Sequence, residues 1–68
     1  MIQRVISLDC GMRQLAQARE ALSAIPGVVA AEQVMGRRAI RVWQGEELSE
    51  GALRNALYKC GLNDAQID

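Results

Sequence analysis

The hydrophobic pattern of this 68-residue chain changes repeatedly between strand-like and helix-like spacing. Residues 2–8 are rich in aliphatic and β-branched side chains, which predicts a strand. In residues 12–25 the apolar positions recur at intervals of three and four, which predicts an amphipathic helix. Pro26 follows this helix and ends it, because proline cannot continue the backbone hydrogen-bond ladder.

The second half of the chain continues the alternation. Residues 28–35 and 39–43 are β-prone, and the short turn between them contains Gly36, so they are predicted to form a hairpin. A second helix is predicted to begin after Ser49, which acts as its N-cap, and to end near Cys60.

A helix cap and a short strand complete the predicted fold. Gly61 is expected to cap the second helix in the left-handed conformation, and residues 65–67 to form a short edge strand. The order is then strand, helix, strand, strand, helix, strand. Two right-handed crossovers place both helices on one face of a four-stranded antiparallel sheet. The predicted fold is therefore an α+β, ferredoxin-like βαββαβ sandwich, with residues 1–68 as a single domain.

The composition argues against several classes of function. Eight basic and eight acidic side chains give a formal net charge of zero, which argues against nucleic acid as a partner. No apolar stretch approaches the roughly 18 residues that membrane insertion needs, and no secretory signal is recognisable, so a cytoplasmic location is expected. The chain contains no histidine and no catalytic constellation, so it is not expected to be an enzyme.

The sulfur-bearing side chains are the candidate chemistry. In the predicted topology the loop with Cys10, the turn at residues 36–38 and the end of the second helix at Cys60 lie at the same end of the sheet. Cys10 precedes the first helix, whose dipole is expected to lower the thiol pKa. Two reduced thiols in reach of each other would bind a soft metal ion. The alternative for each cysteine is a small apolar packing residue.

Almost the whole chain, from about Val5 to about Asp64, resembles the heavy-metal-associated domain family. This family includes copper chaperones, mercury-binding proteins and the amino-terminal domains of metal-pumping ATPases. The resemblance is carried by Ala21-Leu22, Ile25-Pro26-Gly27-Val28, Leu53-Arg54-Asn55-Ala56-Leu57 and Cys60-Gly61-Leu62. These landmarks imply the fold and carry no information about metal.

The family's metal motif is M-x-C-x-x-C, and its cysteines would fall at Gly11 and Gln14, so the usual two-thiolate clamp is absent. The resemblance implies that the loop after the second helix approaches the metal, and here that loop brings Cys60. The predicted Cu(I) ligands are therefore Cys10 and Cys60, with the Met12 thioether as a possible third.

Three hypotheses remain open at this point. The first is a metallochaperone-like domain, monomeric or a weak homodimer, that passes Cu(I) to a metal-transporting ATPase or another metal-accepting protein. The second is a degenerate domain without metal that serves as a protein-interaction or regulatory module. The third is a thiol-redox switch between the two cysteines. Four basic residues at the same end either offset the charge of a bis-thiolate site, dock an acidic partner or form a solvated rim; they are Arg13, Arg37, Arg38 and Lys59.

Overall fold

The computed structural model describes all residues 1–68, and it confirms the ferredoxin-like βαββαβ fold. The sheet has the strand order β2-β3-β1-β4, and every neighbouring pair is antiparallel. The elements are β1 (Ile2–Ser7), α1 (Met12–Ser23), β2 (Val28–Gln33), β3 (Ala39–Gln44), α2 (Glu50–Lys59) and β4 (Gln66–Ile67).

The two central strands, β1 and β3, pair along their whole length. Their register runs from Ile2 opposite Gln44 to Ser7 opposite Ala39. Strand β4 adds only two residues to the edge of β1. Strand β2 forms the other edge, and its pairing with β3 is interrupted by a bulge at Val29. The middle of the sheet is therefore its most regular part.

The core lies between the sheet and the two helices. Ile6 and Ile40 face each other across the central strands, and both are fully buried. Because side chains alternate along a strand, this register places the even-numbered residues of β1 and β3 on the helix-covered face. The helices add a stripe of buried residues at the predicted spacing: Leu15, Ala18 and Leu22 from α1, and Leu53 and Leu57 from α2.

Two boundaries differ from the prediction by two residues. Helix α1 ends at Ser23 rather than at Ile25. Proline disfavours helical geometry in the residue before it, so Pro26 moves the end of the helix upstream of Ile25. Strand β2 ends at Gln33 rather than at residue 35, because the chain already turns toward Gly36 there.

Both ends of α2 form as predicted. The Ser49 hydroxyl oxygen accepts a hydrogen bond from the Ala52 amide at 3.3 Å, which satisfies a free donor of the first turn. At the other end Gly61 has a φ of +79°. The Leu62 amide donates to the Leu57 carbonyl at 3.0 Å, which completes a Schellman cap. The cap directs the chain from α2 toward β4.

One polar side chain is fully buried. Gln44 ends β3 with no exposed surface, and its amide nitrogen donates to the Leu48 carbonyl at 2.7 Å. This bond ties the loop before α2 to the end of the sheet. Neither helix has the length and apolar character needed to cross a membrane.

Shortening one core side chain tests the central packing. Ile40→Val should lower the free energy of unfolding by about 0.5–1.5 kcal/mol, because it removes a buried methylene and leaves a small cavity. The matched control is Val29→Ala on the exposed edge, where a change within about 0.5 kcal/mol is expected. Urea denaturation measures both variants, and equal losses would contradict this description of the core.

Candidate metal centre

Three loops converge at one end of the sheet, as the topology predicted. The Leu8 amide donates to the Arg38 carbonyl at 2.9 Å, which joins the β1–α1 loop to the β2–β3 turn. The Arg38 guanidinium also lies 3.7 Å from the Asp9 carboxylate, although both side chains are largely exposed. Cys10 and Gly61 line one cavity, which brings the α2–β4 loop to the same end.

Cys10 is part of the hydrophobic core. It is 8% exposed and packs within the core cluster that also contains Leu8 and Leu62. It lines a cavity of about 120 Å³, which we call the thiol cavity. The lining consists of Leu8, Asp9, Cys10, Gln14 and the segment of residues 61–65.

Burial raises the pKa of the Cys10 thiol above its ordinary value. The positive charge of Arg38 opposes this shift, and the negative charge of Asp9 adds to it. The prediction that the helix N-terminus lowers this pKa is therefore wrong in direction. Desolvation disfavours the thiolate more than the neighbouring positive charge favours it.

Cys60 lies on a different surface. It is the C-cap of α2, and its amide donates to the Leu57 carbonyl at 3.0 Å. The side chain is half-buried and packs against the core cluster. It lines a groove between the helices, which we call the interhelical groove, together with Ala21, Ala24, Ile25, Pro26, Ala52, Asn55, Ala56 and Lys59.

Met12 is the first residue of α1 and is 69% exposed. It lines a third cavity, of about 490 Å³, between the start of α1 and the β2–β3 turn. We call this cavity the methionine groove; its other lining residues are Leu15, Gln33, Val34, Met35, Gly36, Arg37 and Arg38.

The three candidate ligands thus share one end of the fold and line three separate cavities. Two observations link the two thiols. Cys10 shares its cavity with Gly61, the residue after Cys60, and Cys60 packs against the core cluster that contains Cys10. Both cysteines are free thiols. No group of three or more Cys, Asp or Glu side chains is arranged as a metal site.

The four basic residues of this end also do not share one cavity. Arg37 and Arg38 line the methionine groove, whereas Lys59 lines the interhelical groove. Arg13 is exposed on the first turn of α1. Only Arg38 among these four takes part in an ion pair, so the other three charges are free to meet a partner.

The sequence analysis did not predict that Val34 and Met35 line the methionine groove. Both were assigned to β2, but they lie beyond its end, and Met35 is 97% exposed. Two consecutive apolar residues directly before a glycine turn were the available signal. A strand that buries only one face would have required one of them to point away from the core.

No known family's sequence profile matches the chain, and no curated protein matches it. Solved structures do match over nearly the whole length. One, from work on crosstalk between Cu(I) and Zn(II) homeostasis, is 18% identical with a TM-score of 0.82, and the match covers 100% of both chains. Another is the yeast copper transporter domain Ccc2a, solved in the apo and Cu(I)-loaded states. It is 15% identical with a TM-score of 0.79, and the match covers 97% of this chain and 93% of that one. These similarities establish the fold.

The different burial of the two thiols predicts different reactivity. With iodoacetamide at neutral pH, we expect Cys60 to be modified well before Cys10, because alkylation requires an accessible thiolate. Mass spectrometry of the digested protein gives the rate at each site. In urea the two rates should converge. A native Cys10 that reacts as fast as Cys60 would contradict its burial and its raised pKa.

Proposed function

We propose that this chain is a heavy-metal-associated-type domain that binds Cu(I) through a non-standard thiol site. Cys10 and Cys60 are the proposed ligands, and the Met12 thioether is the proposed third donor. In this proposal the ion is cargo, and the domain carries no enzymatic activity.

The chemistry of the donor set supports this proposal. Thiolate and thioether ligands are soft and select Cu(I) over hard cations such as Mg²⁺ and Ca²⁺. The observation that carries the proposal is that the thiol cavity contains both Cys10 and Gly61. For Cys60 to reach this cavity, only the α2–β4 loop next to it would have to rearrange.

Metal binding must overcome the burial of Cys10. The thiol has to lose its proton, and a bound cation replaces the solvation that burial removes. Arg38, whose charge already acts on this thiol, would offset the negative charge of a bis-thiolate complex. The half-buried Cys60 is the more accessible ligand, so it is the proposed first point of capture.

We further propose that the domain passes its ion to a metal-transporting ATPase or another metal-accepting protein, in a reducing compartment such as the cytoplasm. Support comes from the fold shared with a copper transporter domain that was solved loaded with Cu(I). A ligand set drawn from two loops would allow stepwise transfer, because one thiolate can leave while the other still holds the ion.

A second candidate function is a metal-free protein-interaction module on the same fold. The distribution of the three proposed ligands over three cavities favours it, because no single cavity is lined by two of them. The burial of Cys10 in the core cluster favours it as well.

Anaerobic Cu(I) titration against a chromogenic chelator tests the metal proposal. We expect one tightly bound equivalent in the natural chain, and loss of that equivalent in both Cys10→Ser and Cys60→Ser. Met12→Leu should weaken binding by a smaller factor. Met35→Leu is the matched control, since it removes an exposed thioether that is not a proposed ligand.

Equal, weak binding by the natural chain and both serine variants would contradict the metal proposal and leave the interaction module. Loss of binding in Met35→Leu would contradict the assigned third ligand.

The raised pKa of Cys10 predicts the pH dependence of metal binding. Below that pKa, coordination releases the thiol proton, so the apparent Cu(I) affinity should rise with pH. Because burial raises this pKa, the rise should continue beyond the ordinary pKa of a thiol. Chelator competition at several pH values measures the slope. An affinity independent of pH would show that Cys10 is not a ligand.

A further inference from the structure

The methionine groove combines exposed apolar side chains with positive charge. Two of the most exposed large apolar side chains, Met12 and Met35, line it together. Its floor includes Leu15, which is fully buried in the core. Exposed apolar side chains gathered in one concave surface mark a binding site more often than single scattered ones do.

The charges at this groove all have one sign. Arg37 and Arg38 are among its lining residues, and none of the lining residues is acidic. Arg13 follows Met12 on the exposed first turn of α1. Arg37 takes part in no ion pair, and the Arg38 pair with Asp9 is long and exposed. An occupant that supplies carboxylates would therefore meet the unpaired guanidinium of Arg37 and the exposed guanidinium of Arg38.

We propose that the methionine groove is the docking site for an acidic, amphipathic segment of a partner protein. The segment places apolar side chains between Met12 and Met35 and its carboxylates against Arg37 and Arg38. Methionine side chains are flexible and polarizable, so they adapt to apolar groups of different shape. A cavity of about 490 Å³ also lies within the size range of natural ligand pockets, roughly 300–1,000 Å³.

This proposal does not require a bound metal ion, although the groove shares Met12 with the proposed metal site. Neither cysteine lines the methionine groove, and the charge pattern is present whether or not Cys10 and Cys60 hold an ion. The variants for its test therefore avoid Met12, which is a proposed metal ligand, and Arg38, which contacts Asp9.

The probe is a fluorescein-labelled synthetic peptide with leucines at helical spacing and glutamates between them. The control peptide carries lysine in place of every glutamate. Fluorescence anisotropy should show saturable binding of the acidic peptide only. Met35→Ala and Arg37→Glu should each weaken it about tenfold, the second variant mainly at low salt.

Two matched controls remove equivalent groups elsewhere. Val29→Ala removes an exposed apolar side chain of β2, and Lys59→Glu reverses an exposed charge beside the interhelical groove. Both should bind the acidic peptide as the natural chain does. Amide chemical shifts in the peptide titration should move at Val34, Met35 and Gly36.

Several results would overturn the proposal. Equal binding of the acidic and basic peptides, no binding of either, or equal losses in the control variants would each do so. Decanoate is a second probe, and tighter binding of decanoate than of the peptide would assign the groove to small amphiphiles. Cys10→Ser should still bind the peptide, so a failure of the metal proposal and a failure of this one are distinguishable.

Discussion

The packing of an aliphatic layer between the central strands and the helices is the constraint on which the rest depends. With no phenylalanine and one tryptophan, the core is built from side chains such as Ile6, Ile40 and Leu22. They exclude water only if both helices lie on the same face of the sheet. This packing, with antiparallel strands, brings the β1–α1 loop, the β2–β3 turn and the α2–β4 loop to one end. The candidate chemistry is thus a product of core packing.

Core packing also explains why the two thiols are so different. Cys10 follows Leu8 into the interior, where a small sulfur-bearing side chain completes the apolar layer. Cys60 is the C-cap of α2. The buried residues of that helix are Leu53 and Leu57, and Cys60 itself is only half-buried. Any function that needs Cys10 as an anion competes with its role in the core. The proposed metal binding would therefore be coupled to stability at this residue.

The fold was predictable from the sequence because its two periodicities are clear. The spacing of Leu15, Ala18 and Leu22 is helical, and Ser49 and Gly61 mark the two ends of α2. Boundary errors arose where a local constraint acted over several residues, as Pro26 does on the end of α1.

The site was only partly predictable. Chain topology indicated which loops meet, and that was confirmed by the cavity shared by Cys10 and Gly61. The direction of each side chain depends on how a helix is rotated about its axis, which packing against the other elements decides. The apolar stripe indicates that rotation within each helix, but Met12 and Cys60 lie at helix ends, where the neighbouring loops also set the direction of a side chain. The exposure of Met35 was missed for a related reason, because the end of β2 depends on where the turn begins.

The bulge in β2 has a consequence for the behaviour of the protein in concentrated solution. Strand β2 presents one edge without a neighbour, and such an edge can recruit a strand from another copy and extend the sheet between molecules. The extra residue at Val29 increases the local twist and interrupts the regular row of donors and acceptors. A flat template for fibre growth is thereby lost, and the exposed valine is tolerated at the rim of the sheet.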